Sequence, residues 1–270
     1  MKDDRPRDSR PLVQLSSGSA SDHESESPFY ELREGIVWFS EEIKREHRRL
    51  KTSLWRYVRR SRFLIVDTEL DRFLHELEAE GQQNDSHEKD RKNKFLNLER
   101  PTAELIHVLL QASRRKHVLE IGTSNAYSTI WIATALKYSD EARLVSIEIA
   151  PHKLALARKN IARARLAHKV EVIEGNATEV VASLRGPFDC VFFDADRISA
   201  PAQLRLLLPK LSDDVLLLAD NTLSHPDEIS AYKTFVEQLP GFICTVTPVG
   251  KGLHIAWRSG RIHAPPERER

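Results

Sequence analysis

Glycine is scarce in this chain, at 10 of 270 residues, against roughly 7% in average proteins. Glycine-rich phosphate loops and low-complexity sheets are therefore disfavoured. Cysteine is scarcer still. Cys190 and Cys244 are the only two, too few for a disulfide framework or a thiolate metal cage, and each adjoins an apolar run, as a buried strand thiol would. A reducing, cytoplasmic setting is the expectation. No run approaches the ~18 apolar residues of a membrane helix. The opening Met1-Lys2-Asp3-Asp4-Arg5 has neither the apolar core of a signal peptide nor the acid-free composition of a transit peptide. Excess charge of one sign is missing too. Lys and Arg number 41 against 40 Asp and Glu, a net charge of +1, so no global field draws the chain to nucleic acid or to an anionic membrane. With 40% hydrophobic residues, the chain can bury one α/β domain of ordinary size plus an added segment.

Residues 1–30 mix Ser, Asp, Glu, Arg and Pro without apolar periodicity, a composition that cannot offset its ordering entropy and reads as a disordered tail. A helical segment and a charged loop follow over 31–94. From Arg33 to about Phe63, Ile36, Phe39, Ile43, Leu50, Leu54 and Val58 recur at helical spacing opposite a basic face of Lys44, Arg45, Arg48, Arg49, Lys51, Arg56 and Arg59. Such a helix packs on the rest of the chain or on a second copy in a homodimer. A basic arm for an acidic partner is the other reading. Thr68 precedes Glu69-Leu70-Asp71 in capping-box style, Leu70, Phe73, Leu74 and Leu77 form a second stripe, and Gly81 reads as its stop. The aperiodic stretch 82–94 reads as a mobile loop, and 261–270 as a C-terminal tail.

Over 95–260, apolar strand patterns alternate with helical ones. Strands are expected at His117–Ile121, Leu144–Glu148, Val170–Ile173, Phe188–Phe193 and Val215–Ala219, with helices between them. Continuous Val, Leu, Ile and Phe runs separated by helices mark parallel strands covered on both faces. The ending differs. Phe242–Thr247 and Leu253–Trp257 are joined by Pro248-Val249-Gly250-Lys251-Gly252, too short for a crossover helix, so they form an antiparallel hairpin. The fold class is α/β: a doubly wound, seven-stranded Rossmann-like sheet with an antiparallel C-terminal hairpin and N-terminal helices, the outline of class I methyltransferases.

Ligands of such sheets bind outside the carboxyl ends of the strands, where strand order reverses. The first strand runs into Gly122-Thr123-Ser124-Asn125-Ala126-Tyr127-Ser128, and the second ends at Glu148, placed to reach a ribose hydroxyl. A dinucleotide would want Gly-x-Gly-x-x-Gly to seat its pyrophosphate, and only Gly122 is present. A cofactor without phosphates fits better. S-adenosyl-L-methionine is that cofactor, with Glu148 on the ribose, Ser128 and neighbouring amides on the methionine carboxylate, and Glu120 near its ammonium. Farther on, Asp194 ends the fourth strand, and Asp220-Asn221 ends the fifth. Two carboxylates and an amide oxygen, without Cys or His, describe a hard divalent cation, Mg2+ before Zn2+. Asp220-Asn221 as a simple cap of the following helix is the competing reading.

These motifs together resemble the cation-dependent O-methyltransferase family of catechol and caffeoyl-CoA O-methyltransferases, which carries Glu-Ile-Gly-Thr...Gly-Tyr-Ser, then Asp-Ala-Asp-Lys, then Asp-Asn-Thr-Leu. The resemblance covers Phe95 to Arg258. It implies cofactor contacts at Leu98, Gly122, Ser124, Ser128, Glu148, Asn176 and Ala177, with Asp194 at both sites, and metal ligands at Asp194, Asp220 and Asn221. It also implies a small hydroxylated acceptor, and the balanced charge and lack of long apolar runs disfavour nucleic acid and membrane as partners. Two positions depart from the pattern. Ala126 stands where the family has Gly and adds a methyl near the cofactor, tolerable if its backbone stays at negative φ. Arg197 stands where the family has the Lys assigned as general base, and a guanidinium cannot accept a proton at neutral pH. Arg197 is therefore expected to hold a phenolate or an acidic substrate group, while the proton leaves to solvent, Asp196 or His225. The reading from another class is a cofactor-binding protein of low activity that acts as an interaction module through its basic N-terminal helix.

Overall fold

A computed structural model describes residues 66–260. The expected tails and the basic helix over 33–63 lie outside the described residues. Seven strands form one mixed sheet: β1 (His117–Ile121), β2 (Arg143–Glu148), β3 (Val170–Glu174), β4 (Phe188–Phe193), β5 (Leu211–Ala219), β6 (Phe242–Thr247) and β7 (Leu253–Arg258). Their order is β3-β2-β1-β4-β5-β7-β6. The first five pair in parallel, and β7 lies antiparallel between β5 and β6. Strand order reverses at the β1–β4 pair, where the carboxyl ends open the crevice expected of this topology.

Alternation along the strands divides the core in two. Val118, Cys190, Phe192, Leu216 and Leu218 face one layer; Leu119, Ile121, Val191, Phe193 and Leu217 face the other. Helices α1 (Thr68–His87), α2 (Arg100–Ala112), α3 (Tyr127–Ala135) and α4 (Pro151–Arg163) cover the first face. Helices α5 (Ala177–Ser183), α6 (Ala200–Leu207) and α7 (Pro226–Glu237) cover the second. Every residue of α3 is buried, which explains why its sequence shows no polar stripe. The inner strands β1, β4 and β5 therefore have apolar cover on both sides, while the edge strands β3 and β6 stay partly exposed, and each fully buried Leu or Phe contributes about 1.5–3 kcal/mol over exposure.

The N-terminal part of this domain differs from the expected pattern. Gly81 does not stop a helix: α1 continues to His87, with Asp67 rather than Thr68 as its N-cap, Asp67 Oδ1 accepting from Leu70 N at 2.9 Å. Gly81 is buried because Asn97 lies against it and donates from Nδ2 to Leu77 O at 2.9 Å. The stretch 82–94 is ordered by polar contacts that carry no periodicity. Asp85 accepts from Phe95 N at 2.7 Å and Leu96 N at 2.9 Å, and Lys94 Nζ donates to Asp85 O at 2.8 Å. The division expected at residue 95 falls inside this core, since α1 contributes Phe73, Leu74 and Leu77 to it. Polar ties add to that packing: Arg100 pairs with Glu78 and Asp71 of α1, and the Tyr127 hydroxyl donates to Glu78 Oε1 at 2.6 Å. Cys190 is buried as expected, whereas Cys244 on the edge strand β6 is half-buried.

Candidate active site

The loop after β1 is built by close approach. Gly122 has φ 109°, and a Cβ there would lie 2.5 Å from Asp194 O, so only glycine lets the β1 and β4 ends meet. Ala126 corrects the expectation of a negative φ: it caps α3 in the left-handed region at φ 71° and ψ 23°, fully buried. That backbone suits the glycine of the family pattern, and alanine bears a cost there of roughly 1–2 kcal/mol. Ser124, also left-handed at φ 50°, gives its N–H to Glu148 Oε2 at 2.7 Å and its hydroxyl to Phe95 O at 2.7 Å. Glu148 closes β2 and takes Ala150 N on Oε1 at 2.8 Å. The acid at the end of β2 thus faces the glycine loop. Leu98 is buried just before α2, and Asn176 caps α5 by accepting from Thr178 N at 2.9 Å, leaving Ala177 as the first residue of that helix.

Glu120 sits below this loop with no exposure. Ser128 Oγ donates to its Oε1 at 2.6 Å, and Thr129 Oγ1 and Ser146 Oγ donate to its Oε2 at 2.5 and 2.6 Å. Burial still dominates and pushes its carboxyl up to about 7, the three hydroxyls only restraining the rise. In this state the Ser128 hydroxyl is engaged by Glu120.

Parallel pairing of β4 with β5 puts Phe193 beside Ala219, so the next residues, Asp194 and Asp220, come to the same edge. Asp220 is buried, accepts from Asn221 Nδ2 on Oδ2 at 2.8 Å, and has its Oδ1 buried without a partner. Burial, then the charges of Asp220 and Glu120, holds the Asp194 carboxyl well above the usual carboxylate range. Asp220 is pushed up to about 6, first by burial and then by the charge of Glu99, against hydrogen bonding by Asn221 and the charges of Lys251 and Arg197. Asn221 takes a left-handed φ of 66° and accepts from Ser224 Oγ at 3.3 Å. No group of three His, Cys, Asp or Glu side chains that could hold a metal occurs among the described residues; the donor set is two carboxylates and an amide. It fits a hard cation: two acids resist ionising together, and one buried carboxylate oxygen lacks a donor.

Three residues near this edge are committed elsewhere, and a fourth was unforeseen. Arg197 donates from Nε and Nη2 to Glu228 Oε2 of α7, at 2.9 and 2.6 Å. Asp196 accepts from Ser199 Oγ and N and from Ile198 N, capping the entry to α6. His225 precedes α7 with Nδ1 2.9 Å from Ser224 Oγ. Glu99, which no motif signalled, stands before α2, pairs with Lys251 Nζ at 2.6 Å and has Oε2 buried without a partner.

A parallel sheet ended by a reversed strand, with an acid at the end of β2 and a carboxylate pair at the ends of β4 and β5, defines a class I methyltransferase fold. The O-methyltransferase family model matches residues 68–235, and the chain belongs to that family. A catechol O-methyltransferase of Niastella koreensis is 36% identical over 122 residues, 44% of this chain and 54% of that protein. The chain thus spans about half the length of that curated relative. A caffeoyl-CoA O-methyltransferase of Nicotiana tabacum is 27% identical over 179 residues, 57% of this chain and 74% of that protein. The O-methyltransferase of Bacillus cereus, solved in complex with SAH, superposes with a TM-score of 0.61 at 25% identity, over 77% of this chain and 97% of that one.

Proposed function

We propose that this protein is an S-adenosylmethionine-dependent O-methyltransferase that transfers a methyl group to one hydroxyl of a small vicinal diol, catechol- or hydroxycinnamate-like, with Mg2+ held by Asp194, Asp220 and Asn221. One observation carries the reading. The two acids end adjacent strands beside the cofactor loop, and Asp220 Oδ1 is buried there with no donor of its own. The names of the catechol and caffeoyl-CoA relatives support the acceptor class.

When bound, the cofactor supplies a sulfonium-borne methyl and the cation lowers the pKa of the hydroxyl it contacts. The chain's own residues bind and orient. Glu148 takes the ribose, Ser128 with the loop amides the methionine carboxylate, and Glu120 the ammonium; Gly122, Ser124, Leu98, Asn176 and Ala177 complete the cofactor contacts. Positioning of this kind supplies much of a methyl-transfer rate. Arg197 accepts no proton, and its pair with Glu228 holds it at the cleft wall. Asp196 is spent on capping, which leaves His225 or solvent to receive the proton. The two free thiols, Cys190 and Cys244, support a reducing, cytoplasmic setting.

The commitment of Arg197 to Glu228 also favours a second reading, a cofactor-binding protein of low activity. Labelled-methyl transfer from S-adenosylmethionine to a panel of catechols and hydroxycinnamates separates the two. Transfer to vicinal diols but not to monophenols is expected; cofactor binding without transfer to any acceptor supports the second reading.

A further inference from the structure

The turn between β6 and β7 delivers a cation to the metal edge. Val249 O accepts from Gly252 N at 2.9 Å and closes the turn, whose tip is held from two sides. On one side, Leu223 N and Ser224 N donate to Lys251 O at 2.9 and 3.2 Å, and Thr222 N donates to Gly252 O at 3.0 Å. These bonds join the tip to the loop that carries Asp220 and Asn221. On the other side, Gly250, at φ 57°, lies so near the first turn of α2 that a Cβ would run into Thr102 Oγ1 and come within 2.8 Å of Glu99 Oε2. Between these supports Lys251 Nζ meets Glu99 Oε1 at 2.6 Å, with the lysine side chain still 45% exposed.

Four buried side-chain oxygens surround this junction without a hydrogen-bond partner: Glu99 Oε2, Thr102 Oγ1, Asp220 Oδ1 and Thr222 Oγ1. Unsatisfied buried oxygens are costly, and a cluster of them is expected where a bound molecule or its water completes the bonding. The two nearby cations differ in availability. Arg197 is 12% exposed and turned to Glu228. Lys251 has three N–H donors, of which Glu99 takes one. Its charge bears on Asp194 and Asp220 alike.

We propose that Lys251, presented by the β6–β7 turn and aligned by Glu99, is a further residue of the acceptor site, whose ammonium donates a hydrogen bond to the acceptor oxygen as that oxygen loses its proton. The inference rests on the O-methyltransferase reading and assigns to Lys251 the charge-holding role for which Arg197 is not free. The acceptor O–H bond breaks and its proton passes to water. The oxygen, its negative charge held by the ammonium, then uses an electron pair to bond the methyl carbon as the C–S pair returns to sulfur.

The test uses 4-nitrocatechol, a diol whose ionisation is visible by absorbance, titrated with pH against the whole protein loaded with S-adenosylhomocysteine and Mg2+. Lys251→Met and Lys251→Gln are compared with the wild type, and Lys251→Arg serves as rescue. Loss of the ammonium should raise the ionisation pH of the bound diol by about one unit or more and lower kcat/KM roughly 10- to 100-fold, with S-adenosylmethionine affinity unchanged. Lys251→Arg should restore the ionisation pH. An unchanged ionisation pH in both neutral variants overturns the role of Lys251 alone. A wild type that binds no 4-nitrocatechol overturns the diol reading and this inference with it.

Discussion

The Glu120 carboxyl is pushed up to about 7 although three hydroxyls donate to it, because removal from water outweighs their bonds. A raised acid favours folding while it keeps its proton. That contribution is complete below the ordinary value of 4.5 and is lost as pH rises to about 7. In the cofactor-free protein, Glu120→Gln should therefore gain stability relative to wild type by about 3 kcal/mol between roughly pH 5 and pH 8. Urea denaturation at both values measures it, and a pH-independent difference between the two proteins would contradict it. At this scale the acids at strand ends were legible in the sequence, since strand periodicity locates a carboxyl end. Arg197 was legible as a departure but not as a partner of Glu228, and Glu99 and Lys251 were not legible at all. Only the packing of α2 and the β6–β7 turn brings those two together, and local pattern does not encode it.

Helix α1 shows what pattern misses at the scale of the element. Gly81 has the residue type of a helix stop, yet the helix runs through it, because a side chain there would occupy the place of Asn97. The apolar stripe itself was readable, and its burial identifies α1 as part of the core. Leu74 has no exposure, so Leu74→Ala should cost roughly 2–5 kcal/mol. Chemical denaturation decides this, and a loss below about 1 kcal/mol would mean that α1 is dispensable to the domain. The strands and the final hairpin were legible for a simpler reason. Strands buried on both faces are largely apolar, and a five-residue connection leaves only an antiparallel return.

Across the whole molecule, the reversal of strand order between β1 and β4 puts the Gly122 loop and the carboxylate pair on one edge of the sheet. Metal binding there requires ionised acids. Burial pushes the Asp220 carboxyl up to about 6 and holds Asp194 above the usual carboxylate range, so Mg2+ affinity should fall as pH drops toward and below about 6. Calorimetric titration with Mg2+ on either side of pH 6 reads the effect, and equal affinity at both would remove Asp220 from the ligand set.

The most direct measurement is transfer of labelled methyl from S-adenosylmethionine to catechol by the purified protein, first in excess EDTA and then with Mg2+ restored, beside Asp220→Ala. Turnover should vanish with EDTA and return with Mg2+. Asp220→Ala should stay inactive in both conditions while binding S-adenosylmethionine nearly as wild type does, since the proposed mechanism assigns Asp220 to the cation and not to the nucleoside. Methylation of catechol at full rate in excess EDTA would contradict the metal-assisted mechanism.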